Sequence, residues 1–218
     1  MSNRILTLAA LAIFALNCGT LNSIRPLPRD ASAFALAVGG PVTNVSGTSF
    51  PLPIAVARYD YGLSDRVTGT ADAHLLLPAF GVIGLDAKAT WHFLNQDKWI
   101  PALGAGAGLN LFLKAGGGDT RVFPELSVHG SYLLGKRVLT YFGVQILYQF
   151  QKPYVAWAPL LGTEVRLGRK LSFSLEGRWY EPGEITAPRL IDYSLPISGH
   201  GAVGFVLGVN YFPGGWYE

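Results

Sequence analysis

The chain has 218 residues, of which 14% are charged, 12% are aromatic and 27 are glycine, with a formal net charge of +3 and a single cysteine. This length suits one domain with ample apolar material to bury. The sparse charge argues against disorder and against an ordinary cytosolic surface, and the lack of any Lys/Arg run excludes a nucleic-acid footprint.

The first segment reads as targeting. Arg4 supplies a short positive region, and Ile5 to Leu16 is almost wholly apolar. At about 12 residues this run is shorter than the roughly 20 a membrane-spanning helix needs. Ala15-Leu16-Asn17-Cys18-Gly19 follows, and Cys18 is the lone cysteine. The segment resembles a bacterial lipoprotein signal peptide with the permissive lipobox of spirochaetes. That resemblance implies a signal over 1–17 and an acylated Cys18 as the first mature residue. The alternative is ordinary signal cleavage beside an incidental cysteine. One cysteine forbids an internal disulfide in either case. Residues 18–31, which include Gly19 to Asp30 (GTLNSIRPLPRD), read as a lipidated tether.

Beyond it, alternating patterns predict strands at 32–39, 52–61, 66–77, 82–93, 100–113, 121–134, 137–150, 156–167, 170–180 and 200–212, with no helix. Eight strands remain an alternative, because the first two patterns are the weakest. Short polar turns at 62–65, 95–98, 135–136 and 168–169 alternate with more varied connections at 40–51, 78–81, 114–120, 151–155 and 181–199. That alternation resembles bacterial outer-membrane barrels, which have short periplasmic turns and longer external loops. The expected fold is all-β: an antiparallel, up-and-down transmembrane β-barrel over 32–212, followed by a tail at 213–218.

Alternation by itself also fits a soluble, lipocalin-like carrier with a greasy interior. Three features favour the membrane version. Gly104, Gly106 and Gly108 share the polar face, where they weaken a strand unless large neighbours need the room. Trp91, Phe93, Trp99, Tyr132, Trp157, Trp179, Tyr211 and Phe212 gather near strand ends, as interfacial girdles require. Val203, Phe205, Leu207, Val209 and Tyr211 share one face of the last strand, which resembles the C-terminal β-signal of outer-membrane barrels.

With the apolar face outward, the lumen receives Arg58, Asp60, Asp72, His74, Asp86, Lys88, His92, Arg121, Glu125, Ser127, His129, Gln145, Glu164, Arg166, Glu176 and Arg178. Charges of both signs nearly cancel there, unlike the single dominant sign that lines ion-selective pores. In the hairpin TEVRLGRKLSFSLEGRWY, Glu164 and Arg166 are expected across from Glu176 and Arg178. Together with Asp86 and Lys88 they form the expected salt-bridge network of a largely plugged lumen.

Two fragments resemble enzyme sites. Asp72 and His74, two apart on one strand face, resemble the Asp/His half of the omptin proteases, without the family's second acidic pair. His129 and Ser131 resemble the His and Ser of the lipid A deacylase barrels, although Val128 and Tyr132 replace the flanking Arg and Asn. A nucleophile needs a base and the base an orienting acid. These four residues are the catalytic candidates of an alternative reading as a lipid or peptide hydrolase or acyltransferase. No phosphate loop, zinc-protease motif or metal spacing occurs, so no cofactor or metal is expected. The first reading is a monomeric outer-membrane lipoprotein, anchored on the periplasmic side. Its partners are outer-membrane lipid and a surface ligand held by the external loops, chiefly 181–199 and 40–51.

Overall fold

The computed structural model describes residues 23–45, 48–51, 54–117, 120–150, 153–185, 192–193 and 197–216. Cys18, the signal segment and about half of the 181–199 loop lie outside these residues. The described residues form twelve strands: β1 (Ser32–Val45), β2 (Thr48–Pro51), β3 (Ile54–Ser64), β4 (Val67–His74), β5 (Val82–Leu94), β6 (Ala102–Lys114), β7 (Arg121–Leu134), β8 (Val138–Gln149), β9 (Tyr154–Arg166), β10 (Leu171–Ile185), β11 (Asp192–Tyr193) and β12 (His200–Tyr211). Ten of them make a closed antiparallel barrel. Each pairs with its neighbour along the chain, and β1 pairs with both β12 and β3 to shut the ring. The two short strands, β2 and β11, flank the projecting end of β1, so the 40–51 and 181–199 connections meet in one small sheet at the loop end.

All ten expected strands are present, so the eight-strand alternative falls away. The first three differ from expectation. The 32–39 strand runs on to Val45, β2 forms within the expected 40–51 connection, the 52–61 pattern becomes β3, and β4 stops at His74 because Leu77–Phe80 turn into a 3-10 segment with Pro78 near its start. Gly81 closes that turn at φ 71°, a left-handed conformation that glycine adopts without penalty.

The burial pattern decides which face looks inward. Leu36, Leu126 and Leu161 are 56%, 57% and 63% exposed on the outer wall, whereas Arg58, Asp72, Lys88, Glu125, Glu176 and Arg178 are buried inside. A lipocalin-like carrier requires the reverse, so that alternative is overturned. A 13-residue strand such as β5 extends roughly 43 Å, which at a tilt of about 45° covers the ~30 Å of a bilayer core. The architecture is that of a transmembrane barrel.

Most of the expected aromatics do stand on the outer wall near strand ends. Trp91, Phe93, Trp99 and Tyr211 are exposed at the turn end, and Trp157 at the loop end. Phe212 is the exception. It is buried, because the chain leaves the wall after Tyr211 and folds inward, its amide donating to the Lys170 carbonyl at 2.8 Å.

Both terminal segments close on the turn end. Ile24 and Leu27 pack with Phe212, Trp216, Leu139, Tyr141 and Leu160 in one apolar cluster. The Leu27 amide donates to Thr68 Oγ1 at 3.2 Å, and Arg25 donates to Gln96. Residues 23–28, expected as part of a tether, are therefore packed against the barrel. A second cluster of Leu77, Phe112 and Phe123 sits at the loop end.

The β1–β12 seam carries a steric condition. Gly39 has φ 148°, and a Cβ there would fall 2.0 Å from the Phe205 carbonyl oxygen across the seam. Gly177 faces outward, with its nearest neighbour 3.9 Å from such a Cβ. Gly39→Ala should destabilise the barrel by roughly 2–4 kcal/mol, and Gly177→Ala should stay within about 0.5 kcal/mol of wild type, read from urea unfolding midpoints in detergent.

Candidate functional site: the barrel lumen

The inner wall is organised by β6. In the strand register His92, Gly104 and His129 form one row across β5, β6 and β7. Thr90, Gly106 and Ser127 form the next, and Lys88, Gly108 and Glu125 the third. Because β6 contributes no side chain to these rows, groups from β5 and β7 lean over it. A Cβ on Gly104 would lie 2.5 Å from His129 Nε2 and 3.2 Å from His92 Nδ1, and one on Gly106 would lie 2.6 Å from Ser127 Oγ. The glycines thus make the room that their place on the polar face implied.

The third row holds an ion pair, Lys88 Nζ to Glu125 Oε1 at 3.3 Å. Asn110 on β6 supports it, donating from Nδ2 to Glu125 Oε2 and to the Phe123 carbonyl, both at 3.2 Å. Toward the loop end His74 Nε2 lies 2.9 Å from Asp86 Oδ2, under the ring of Phe112 at 5.4 Å. Arg58 donates from Nε to Asp72 Oδ1 at 3.0 Å, and Thr70 donates to Asp60. All of these side chains are buried, so each pairing removes two polar groups from water together.

The far wall, β8 to β10, holds a second set. Arg178 pairs with Glu176 on its own strand and donates from Nη1 to Gln145 Oε1 at 2.7 Å. Glu164 accepts from Ser172 and, at 2.6 Å, from Trp216 Nε1. The guanidinium of Arg166 lies over the Trp216 ring, 5.9 Å from its centre, and its Nε donates to the Gly168 carbonyl at 2.9 Å.

The expected face-to-face placement of the four hairpin charges is not what the register gives. Glu164 stands opposite Ser174 and Arg166 opposite Ser172, while Glu176 and Arg178 face Gly162 and Leu160. The cause is the turn, which runs over 167–170, with Leu167 and Gly168 amides both donating to the Leu171 carbonyl. Likewise Asp86 and Lys88 are neighbours on β5 but reach in opposite directions, to His74 and to Glu125.

The four catalytic candidates are all lumenal and buried, and the structure divides them. Asp72 and His74 bond to Arg58 and Asp86 respectively. Neither ring nitrogen of His129 nor Ser131 Oγ has a hydrogen-bond partner among the described residues. Ser131 pairs in register with Ala102 and Tyr141, near the turn end and away from the external loops. Ring packing against His92 at 5.7 Å is the contact that holds His129. Sequence reasoning missed the part played by Trp216 and Ile24. A buried tail residue gives no periodic signal, although a tryptophan in a tail of six residues is one cue.

A lumenal cavity bordered by Ile24, Arg58, Asp60, Tyr141 and Glu164 measures about 20 Å³, close to the space of a single water.

A charge-pair test follows from the third row. Lys88→Met leaves Glu125 buried without its cation and should cost about 3–5 kcal/mol. Combining it with Glu125→Gln, which keeps the Asn110 partner, should restore most of that loss in the same urea titration.

No family model matches the sequence, and no curated protein matches it. The chain is similar in architecture to solved outer-membrane barrels. One is an outer-membrane channel from Pseudomonas putida, with 14% identity over 89% of this chain and 98% of that one and a TM-score of 0.48. The NanC porin gives 10% identity over 82% and 98%, with a TM-score of 0.46. The outer-membrane protease OmpT of Escherichia coli gives 11% over 83% and 96%, with a TM-score of 0.45. TM-scores below 0.5 leave the functional reading to the chain's own residues.

Proposed function

We propose that this is a bacterial outer-membrane barrel whose lumen is largely plugged and which acts through its external loops, as a structural or surface-binding protein. The observation that carries the reading is the inverted burial. Side chains such as Leu126 and Leu161 face out, while Lys88–Glu125, Arg58–Asp72 and Glu176–Arg178 face in and are paired. Water outside the wall would leave a large apolar surface exposed, and hydrocarbon outside the wall covers it.

The lumen supports the closed reading in three ways. A ten-stranded wall is narrow, its mixed charges neutralise one another, and apolar clusters cover it at both ends. Loops 40–51 and 181–199 are joined through β1, β2 and β11. They offer a surface on which a ligand could be held. We further propose that Cys18 carries lipid and tethers the chain at the turn end, where residues 23–28 already dock.

Two measurements check these statements. Unboiled protein from the membrane fraction should migrate differently from boiled protein on SDS gels, and in planar bilayers it should give no steady ion-conducting steps. Absence of the heat shift would remove the membrane reading, and porin-like steps would remove the plugged lumen. Metabolic labelling with palmitate should mark the wild type and not Cys18→Ser, with the heat shift retained in both.

A further inference from the structure

One seam of the barrel opens before it reaches the loop end. The β7–β8 ladder runs from Leu134 opposite Val138 to Glu125 opposite Leu147 and stops there. The next pair in that register would be Pro124 with Tyr148, and proline has no N–H to contribute. Both strands keep their other partners beyond this point. β7 continues on β6 as far as Arg121 opposite Phe112, and β8 continues on β9 as far as Gln149 opposite Tyr154. The β9–β10 ladder also ends early, at Arg178 opposite Leu160, where Pro159 comes next on β9.

The opening is a notch of about 230 Å³ lined by Thr120, Arg121, Val122, Phe123, Gln149 and Phe150. Residues of both faces line it. Arg121 and Gln149 share the inward face with Phe123 and Leu147, whereas Val122 and Phe150 are exposed on the outer face. Phe150 is 60% exposed and stacks edge-on against Tyr148 at 5.0 Å, so it projects as a wall beside the gap. Among the described residues the lining has one cation, a hydroxyl, an amide and three apolar side chains. Arg121 Nε is buried and has no hydrogen-bond partner among the described residues. A buried guanidinium N–H without an acceptor calls for one, and its charge selects an anion. An opening polar on the inside and apolar on the outside fits an anion that carries a hydrocarbon chain.

We propose that this notch holds the phosphate headgroup of a membrane lipid, with Arg121 as its cation, Thr120 and Gln149 as neutral donors, and the start of an acyl chain against Val122 and Phe150. The proposal rests on the membrane reading above, which places the loop end at a lipid headgroup level. It adds a specific lipid site to an otherwise apolar wall.

Native mass spectrometry of the detergent-solubilised full chain tests it, with phosphatidylglycerol as the probe and diacylglycerol of the same chains as the uncharged control. The wild type should retain one phosphatidylglycerol and release diacylglycerol. Arg121→Gln should weaken retention by about tenfold or more, and Arg121→Lys, a point charge without the fork, should recover part of it. Inorganic phosphate at the same phosphate concentration should not displace the lipid. Equal retention by wild type and Arg121→Gln, equal retention of the two lipids, or displacement by inorganic phosphate would each overturn the site. Heat-shift gels on the same samples separate the two readings. A shifted, folded barrel with unchanged lipid retention sinks the notch alone, whereas a wild type without a shift sinks both. If Arg121→Gln does not give the folded form, Gln149→Leu, which blocks the polar side of the notch, must show the same loss.

Discussion

A closed wall of ten strands whose outer side chains are apolar has one demanding consequence: charges on the inner side must be paired with other inner groups or with the ends of the chain. Under the proposed plugged lumen, little space is left for solvent to do this. Lys88 with Glu125, His74 with Asp86, Arg58 with Asp72 and Arg178 with Glu176 are four solutions to that single condition. Each pair breaks even or better only because both members leave water together, and a lone survivor would be costly.

The glycines of β6 are the geometric means by which this is done. Flanking strands two apart in a sheet do not ordinarily bring side chains together. With Gly104, Gly106 and Gly108 between them, β5 and β7 do so in three successive rows. The same rows place His92 against His129 and Thr90 near Ser127, so one strand without side chains organises an inner wall made by its neighbours. The weak intrinsic strand propensity of glycine is offset by the pairs it admits.

The ends of the barrel obey a related rule. A polar lumen open at both mouths would be bathed in water, and its ion pairs would be correspondingly weakened. Instead Ile24, Leu27, Phe212 and Trp216 gather at the turn end, and Leu77, Phe112 and Phe123 at the loop end. Trp216 serves both purposes, packing in the apolar cluster while its indole N–H reaches Glu164. The β7–β8 seam splays where Pro124 interrupts the ladder, as the β9–β10 seam does at Pro159.

The sequence by itself determined the all-β alternation, with ten strands expected and eight left open, the succession of short and varied connections, and most of the inward-facing charged side chains. It could do so because a strand has a period of two, so a run of alternating residues names its own inner face. Asp72, Asp86, Lys88, Glu125, His129, Glu164 and Arg178 were all legible in that way. Which of them meet was not legible. Partnership depends on register, and register depends on turns: the 167–170 turn alone moved Glu164 and Arg166 opposite serines. It depends also on contacts across an intervening strand, as over Gly108, and on terminal segments that carry no periodic signal, as with Ile24 and Trp216. Exposure of the apolar side chains and burial of the charged ones, on opposite sides of one wall, settled the direction of the apolar face, because alternation reads the same from either side until the sheet closes.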